Sequence, residues 1–184
     1  GTGASCIFPL LGHKKFGWKF IATEIDSNSI KWANKNIMTN KLDKWIKVIK
    51  IEKSRKIFNF LKTCSKKFDF SMCNPPFFED MKQVGNNKKR VFKFYKKITK
   101  ATQKELVCSG GELAFITKMI KQSLKIQNKI RWFTTMVGRL KTFKQILEKL
   151  KLVKKESNLI IKTAVLRKGR QSRWFVAWSF EQNK

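Results

Sequence analysis

The amino-acid sequence predicts an α/β fold: a three-layer sandwich with a mostly parallel sheet, closed at the end by an antiparallel pair of strands. Three observations carry this expectation. Short apolar, β-rich runs alternate with segments of helical periodicity as far as Leu150. Two longer β-rich runs then follow each other across a glycine-containing turn. With 184 residues, 42% of them hydrophobic, the chain is long enough for one domain with a real core. Strands that alternate with helices need crossover connections, which make neighbouring strands parallel and put helices on both faces.

The elements follow in order. Gly1-Thr2-Gly3-Ala4-Ser5 reads as a glycine turn ahead of a helix, in which Pro9 must sit early or cause a kink. Trp18 to Thr23 reads as a strand that ends in the acid Glu24. Asp26 or Ser27 can cap the next helix, with Ile30, Ala33, Asn34 and Ile37 expected on its inward face. Trp45 to Ile51 is β-rich, and Ile57, Phe58 and Leu61 have helical spacing. Phe68 to Cys73 is a short buried-strand run that stops at Asn74. Gly111 to Lys125 predicts a helix with Leu113, Ile116, Ile120 and Leu124 inward, and Ile130 to Val137 another strand. Phe143, Ile146, Leu147 and Leu150 mark a further helix. Leu159 to Leu166 and Trp174 to Phe180 form the closing pair, with Lys168-Gly169-Arg170-Gln171 as the hairpin turn.

Charge narrows the partners. There are 42 Lys and Arg against 12 Asp and Glu, a formal net charge of +30. Such a surface attracts polyanions, nucleic acid foremost, although codon bias towards Lys would raise the charge too. The longest segment without core periodicity, residues 78–104, is the expected substrate loop. Between Met81 and Glu105 it holds nine Lys or Arg and no acid. Lys88, Lys89 and Arg90, with Phe92, Phe94 and Tyr95 behind them, interleave charge and aromatics as single-strand binders do. The alternative for this segment is a solvated loop. Arg131, Arg173, Trp174 and Trp178 are further candidates for RNA contact, with a core role preferred for Trp178.

Other chemistries have little to work with. Cys6, Cys64, Cys73 and Cys108 lack metal-ligand spacing and His13 is the one histidine, so no metal site is expected. The cysteines read as small buried hydrophobes of a reducing compartment. A Ser-His-acid hydrolase would have only His13 to use. No run of about 18 apolar residues suggests a membrane span. The chain opens without Met inside a glycine loop and is read as a piece of a longer protein.

Two constellations carry the functional reading. Glu24 falls at a strand end about 20 residues after the glycine turn, where an acid can accept hydrogen bonds from both ribose hydroxyls of a nucleoside. The alternative is a solvated helix cap. Asn74-Pro75-Pro76-Phe77 follows an apolar strand. The prolines donate no hydrogen bond and hold Asn74 extended. The Asn74 side-chain oxygen and the Pro75 carbonyl can then accept from an exocyclic amine, while Phe77 stacks on a planar base. The alternative is a tight turn with a core Phe. An amine so held needs only an activated methyl donor, close and desolvated. Gly110-Gly111-Glu112 reads equally as a loop turn with an acid that favours the helix dipole, or as a substrate contact.

In their order along the chain these stretches resemble the methyltransferase-like protein 16 family, N6-adenosine methyltransferases of U6 small nuclear RNA, and bacterial relatives that act on large-subunit ribosomal RNA. The matching stretches are Gly1 to Ser5, Ala22 to Asp26, Met72 to Phe78, Gly110 to Leu113, Arg131 to Phe133 with Met136 to Gly138, and Arg173-Trp174 with Ala177 to Phe180. The resemblance implies a Rossmann-like methyltransferase catalytic domain over residues 1–184. Asn74, Pro75, Pro76 and Phe77 would be catalytic, and Gly1, Gly3, Ser5, Glu24, Ser54 and Asn74 would hold S-adenosylmethionine. Residues 51–54 match a loop that can occlude the cofactor pocket. The family's N-terminal RNA-binding segment and C-terminal accessory region have no counterpart here, and Ala101-Thr102-Gln103-Lys104 stands where it has a Gly-Gly pair. The implied partner is a structured RNA with an exposed adenine, contacted by Lys88, Lys89, Arg90 and Arg173. The implied location is the nucleus, with the cytoplasm second. Ribosomal RNA or DNA as substrate, a non-catalytic RNA-binding module, and transfer to a protein glutamine amide are the rival readings.

Overall fold

The computed structural model describes residues 1–52, 57–80, 106–169 and 171–180. Helix α1 (Ile7–Phe16) leads to strand β1 (Phe20–Glu24), then helix α2 (Ser27–Thr39) and strand β2 (Ile46–Lys50). A 3-10 turn (Asn59–Lys62) precedes strand β3 (Phe68–Ser71). Helix α3 (Gly111–Ser123), strand β4 (Ile130–Val137), helix α4 (Leu140–Glu156) and the hairpin β5 (Ile160–Lys168) and β6 (Gln171–Ser179) follow.

Pro9 is the third residue of α1, where a backbone N–H would have no helical partner, so the helix tolerates it. Gly12 lets α1 lie on β1: a β-carbon there would stand 2.5 Å from Cζ of Phe20. Asp26 caps α2 by accepting from the Ser29 N–H at 2.9 Å. The buried face of α2 is Ser29, Ala33 and Ile37. Asn34, expected inward, is exposed. Its place is taken by Asn36, whose Nδ2 donates to the carbonyls of Ala4 at 3.2 Å and Ser5 at 3.3 Å. The polar side chain turns towards backbone acceptors instead of the core.

The buried face of α3 is also rotated from the expected one. Glu112, Phe115, Ile116, Met119, Ile120 and Ser123 are buried, whereas Leu113 is half-buried and Leu124 is exposed beyond the helix end. Two adjacent rows at fourfold spacing face inward, a broader stripe than the one expected. Around it lies the main core: Phe133 and Val137 of β4, Ile146 and Leu150 of α4, and Val176 and Trp178 of β6. Trp178 is fully buried, and its Nε1 donates to Ser123 Oγ at 2.9 Å. The core role expected for it holds.

The strands form two sheets. β1 pairs with β2 in parallel; the second sheet runs β3-β4-β6-β5, with β3 and β4 parallel and both β6 pairings antiparallel. Lys168 pairs with Gln171, so the chain reverses between them, with Gly169 at φ +57°. β1 and β3 have no second strand partner among the described residues, and a cavity of about 1040 Å³ separates them. Phe20 to Thr23 and Phe68 to Ser71 line its sides, and Gly1, Thr2, Phe115 and Met119 also border it. Each of β1 and β3 is parallel to its own partner strand, and two functional loops, those after Glu24 and Ser71, leave the carboxyl ends of β1 and β3, where open α/β sheets bind ligands.

Candidate active site at the strand ends

Glu24 is buried, 3% exposed, and both of its oxygens are engaged. Oε2 accepts from the Gly3 N–H at 3.0 Å; Oε1 accepts from Ile25 N–H at 2.8 Å and Asp26 N–H at 3.1 Å. Asp26, not Glu24, caps α2, so the solvated-cap alternative for Glu24 is set aside. Three amides hold one carboxylate in place and leave it lone-pair capacity for a further donor.

The glycine turn is shaped by this anchor. Gly3 adopts φ +60°, which favours glycine, and a β-carbon on Gly1 would stand 2.6 Å from Glu24 Oε2. Asn36 holds the loop from the other side through the Ala4 and Ser5 carbonyls. Thr2 Oγ1 is buried without a hydrogen-bond partner among the described residues. A bare backbone, a fixed carboxylate and a buried unsatisfied hydroxyl fit a nucleoside cofactor with ribose hydroxyls and polar groups to offer. Ser5 is exposed at the head of α1. Ser54 lies outside the described residues.

Asn74 is exposed, and its side chain makes no hydrogen bond among the described residues. Pro75 beside it is fully buried, and Pro76 and Phe77 are half-buried. The loop is pinned at both ends. On one side the Cys73 carbonyl accepts from Met136 N–H at 2.9 Å. On the other, Phe78 donates to the Leu106 carbonyl at 3.1 Å and accepts from Cys108 N–H at 3.0 Å. The residues between are thus spanned from two fixed points, with Asn74 free to bind. The Arg139 guanidinium lies 5.7 Å from the Phe78 ring centroid, a cation–π contact behind the loop.

Glu112 is the site residue whose place the sequence left open. It is 3% exposed, and its Oε1 accepts from the Gly138 N–H at 2.5 Å. Burial pushes its carboxyl above the ordinary carboxylate range; the Gly138 amide, the Thr142 side chain and the Arg139 charge oppose that shift without cancelling it. Its signal was the pair Gly110-Gly111, at φ +76° and +60°, which sets the start of α3.

Strand register places the remaining candidates. Val137 at the end of β4 faces Trp174, so Arg173 comes level with Gly138, at the same sheet end as Asn74. Arg173 is half-buried and its Nη1 donates to the Ser172 carbonyl at 3.0 Å. Arg131 is the second residue of β4, roughly 20 Å away along the strand at about 3.3 Å per residue, and does not join the site. Trp174 packs towards Phe143, ring centroids 6.2 Å apart. Lys88, Lys89 and Arg90 fall outside the described residues. All four cysteines are free, burial raises the thiol pKa of Cys6 to about 11, and it also raises those of Cys73 and Cys108. Cys6 is buried as expected, whereas Cys64, Cys73 and Cys108 are only partly buried, packed against the main core. No metal-binding cluster occurs among the described residues.

A Rossmann-like α/β fold with a glycine loop, a strand-end carboxylate and Asn-Pro-Pro-Phe at a neighbouring strand end defines the class: a nucleoside-cofactor methyltransferase fold. Residues 1–182 match the Methyltransf_10 family model, described as RNA methyltransferase, and the chain belongs to that family. It is 35% identical over 182 residues to the RNA N(6)-adenosine-methyltransferase mettl16 of Danio rerio, covering 98% of this chain and 38% of that one. It is 34% identical over 190 residues to the ribosomal RNA large subunit methyltransferase F of Pseudomonas syringae pv. syringae, covering 98% and 57%. Among solved structures it resembles the human Mettl16 catalytic domain in complex with the MAT2A 3′UTR hairpin 1, with 32% identity and a TM-score of 0.82 over 100% of this chain and 63% of that one. It likewise resembles the N-terminal domain of human METTL16 in complex with SAH, with 32% identity and a TM-score of 0.74 over 99% and 60%. The chain thus spans between about a third and two thirds of these proteins.

Proposed function

We propose that the protein to which this chain belongs is an S-adenosylmethionine-dependent RNA methyltransferase that forms N6-methyladenosine. The observation that carries the reading is the pairing of an exposed Asn74, without a side-chain hydrogen bond among the described residues, on a loop pinned at both ends, with a buried Glu24 fixed by three amides, after the carboxyl ends of β3 and β1. The similar human domains solved with an RNA hairpin and with SAH support both the substrate class and the cofactor.

The cofactor supplies an activated methyl group on a sulfonium. Gly1, Gly3, Ser5 and Ser54 would line its pocket, and Glu24 would accept from its ribose. Asn74 and Pro75 would accept from the two hydrogens of the adenine N6 amine, directing its lone pair towards the methyl. Pro76 keeps the loop rigid, and Phe77 would stack on the base. None of these roles needs a group of unusual pKa; the work is positioning and preorganised acceptors. An adenine reaches such a pocket only unstacked, which favours a bulge or single strand in a structured RNA. Arg173 would contact that RNA at the sheet end, joined by Lys88, Lys89 and Arg90.

U6 small nuclear RNA is the target we favour, in the nucleus. Ribosomal RNA is the second reading, favoured by the 34% identity to the Pseudomonas enzyme. Full-length protein, incubated with labelled S-adenosylmethionine and separated small nuclear and ribosomal RNA fractions, tests both. Label as N6-methyladenosine in the small nuclear fraction, abolished by Asn74→Ala, is expected. Label only in the ribosomal fraction would select the second reading, and no label in any RNA despite cofactor binding would overturn the proposal.

A further inference from the structure

Glu112 and Gly138 lie 26 residues apart in sequence, yet one hydrogen bond joins them directly behind Phe77. Gly138 follows β4 without a side chain. A β-carbon added there would stand 2.7 Å from Cε1 and 2.8 Å from Cδ1 of Phe77, and 3.2 Å from Glu112 Oε1. The Phe77 ring therefore rests on the bare backbone of Gly138, and Glu112, close by, holds that backbone through its amide.

The helix that carries Glu112 is itself tied to the loop. Gly111 N–H donates to the Cys108 carbonyl at 2.7 Å, and Cys108 N–H donates to Phe78 at 3.0 Å. A β-carbon on Gly111 would approach Cγ of Glu79 to 3.0 Å. The far side of the loop is thus bound to the first turn of α3, and Glu112 in that turn binds the end of β4. An acid that merely favours a helix dipole belongs on the surface; this one is buried and bonded to a distant amide.

We propose that Glu112 is a positioning residue for methyl transfer: by holding Gly138 it sets the seat on which Phe77 presents its ring to the substrate base. The inference rests on the functional reading above for its catalytic consequence, but the contact itself can be measured without any activity. Placement matters steeply, since a shift of about 1 Å in a reacting group lowers rates on the order of 10²-fold.

The test uses full-length protein with glycine labelled for NMR, alongside steady-state methylation of an adenine-bearing RNA hairpin. In the native protein the Gly138 α-protons should carry a ring-current shift that Phe77→Ala removes. Glu112→Ala should also remove it, and should lower kcat on the order of 10²-fold while leaving the Kd for S-adenosylmethionine within about threefold. Glu112→Gln keeps an acceptor for Gly138 and should recover at least about tenfold in kcat over Glu112→Ala. Gly138→Ala, which retains the acid but crowds it and displaces the ring, should lower kcat as Glu112→Ala does. The inference is overturned if Glu112→Ala keeps both the Gly138 shift and kcat, or if Glu112→Gln is no better than Glu112→Ala. A native protein that methylates no RNA, while its Gly138 shift responds as described, would count against the functional reading and for the contact.

Discussion

Oε2 of Glu24 and the amide of Gly3, 3.0 Å apart, join the end of a strand to a loop 21 residues earlier in the chain. The same carboxylate gathers the amides of Ile25 and Asp26, so one side chain sets the shape of the backbone that faces the cofactor pocket.

Replacing Glu24 by Ala should therefore weaken cofactor binding by more than the loss of a ribose contact. Hydrogen bonds to a charged group contribute about 1.5–3 kcal/mol each, and removing the acceptor frees the Gly3 amide as well. Isothermal titration should show the Kd for S-adenosylmethionine rise by about 100-fold or more.

Asn74→Ala should separate chemistry from stability. The side chain is exposed and makes no hydrogen bond among the described residues, so unfolding free energy should change by no more than about 0.5 kcal/mol. Loss of a preorganised acceptor should lower kcat on the order of 10²–10³-fold. Thermal melts and single-turnover methylation check the two halves.

The pH dependence of stability should reveal Glu112. Its folded pKa is raised by burial above an ordinary value of 4.5, so the unfolded state ionises more readily. Its favourable contribution is thus complete below the unfolded pKa and is lost as pH rises through the folded one. Glu112→Gln removes that loss. Urea denaturation should find the variant gaining on the native protein as pH is raised from about 4.5 through the folded pKa, and the difference constant above it. A native advantage that grows with pH would contradict the assignment.

Trp178→Phe should destabilise the main core by about 1–3 kcal/mol, because Ser123 Oγ loses its buried donor at the same time as the core loses volume. Urea midpoints measure it, and RNA affinity should be unchanged for a residue so far inside.

RNA affinity should fall steeply with salt, with a log–log slope of about −0.7 to −0.9 per phosphate contact. Arg173→Ala should reduce that slope by about one such unit, and alanines at Lys88, Lys89 and Arg90 together by about two to three. Filter binding between low and physiological salt decides it; a flat response would remove these residues from the interface.

Local patterns in the sequence were enough for much of the fold. A run of β-branched and aromatic residues placed the eight-residue strand from Ile130 to Val137 at its true bounds, since such side chains suit extended backbone. The hairpin turn at Gly169 and the cap at Asp26 were legible because each depends on residues a few positions apart. Asn34 and Leu124 were misplaced because a helix's buried face depends on what packs against it, and at Asn36 that is a backbone loop more than thirty residues distant.

By itself the sequence determined the alternating α/β order, the glycine turn, the acid at a strand end and the Asn-Pro-Pro-Phe loop, because each is a matter of residue type and short spacing. Only the tertiary structure decided that Glu24 is a buried anchor of the glycine loop, that Arg173 shares a sheet end with Asn74 while Arg131 does not, and that Glu112 stands behind Phe77 through Gly138. The contacts of Glu24 with Gly3 and of Glu112 with Gly138 cross 21 and 26 residues of chain. Such contacts form because burial forces each polar atom to find whatever partner the packed fold brings near, and no local spacing encodes which partner that is.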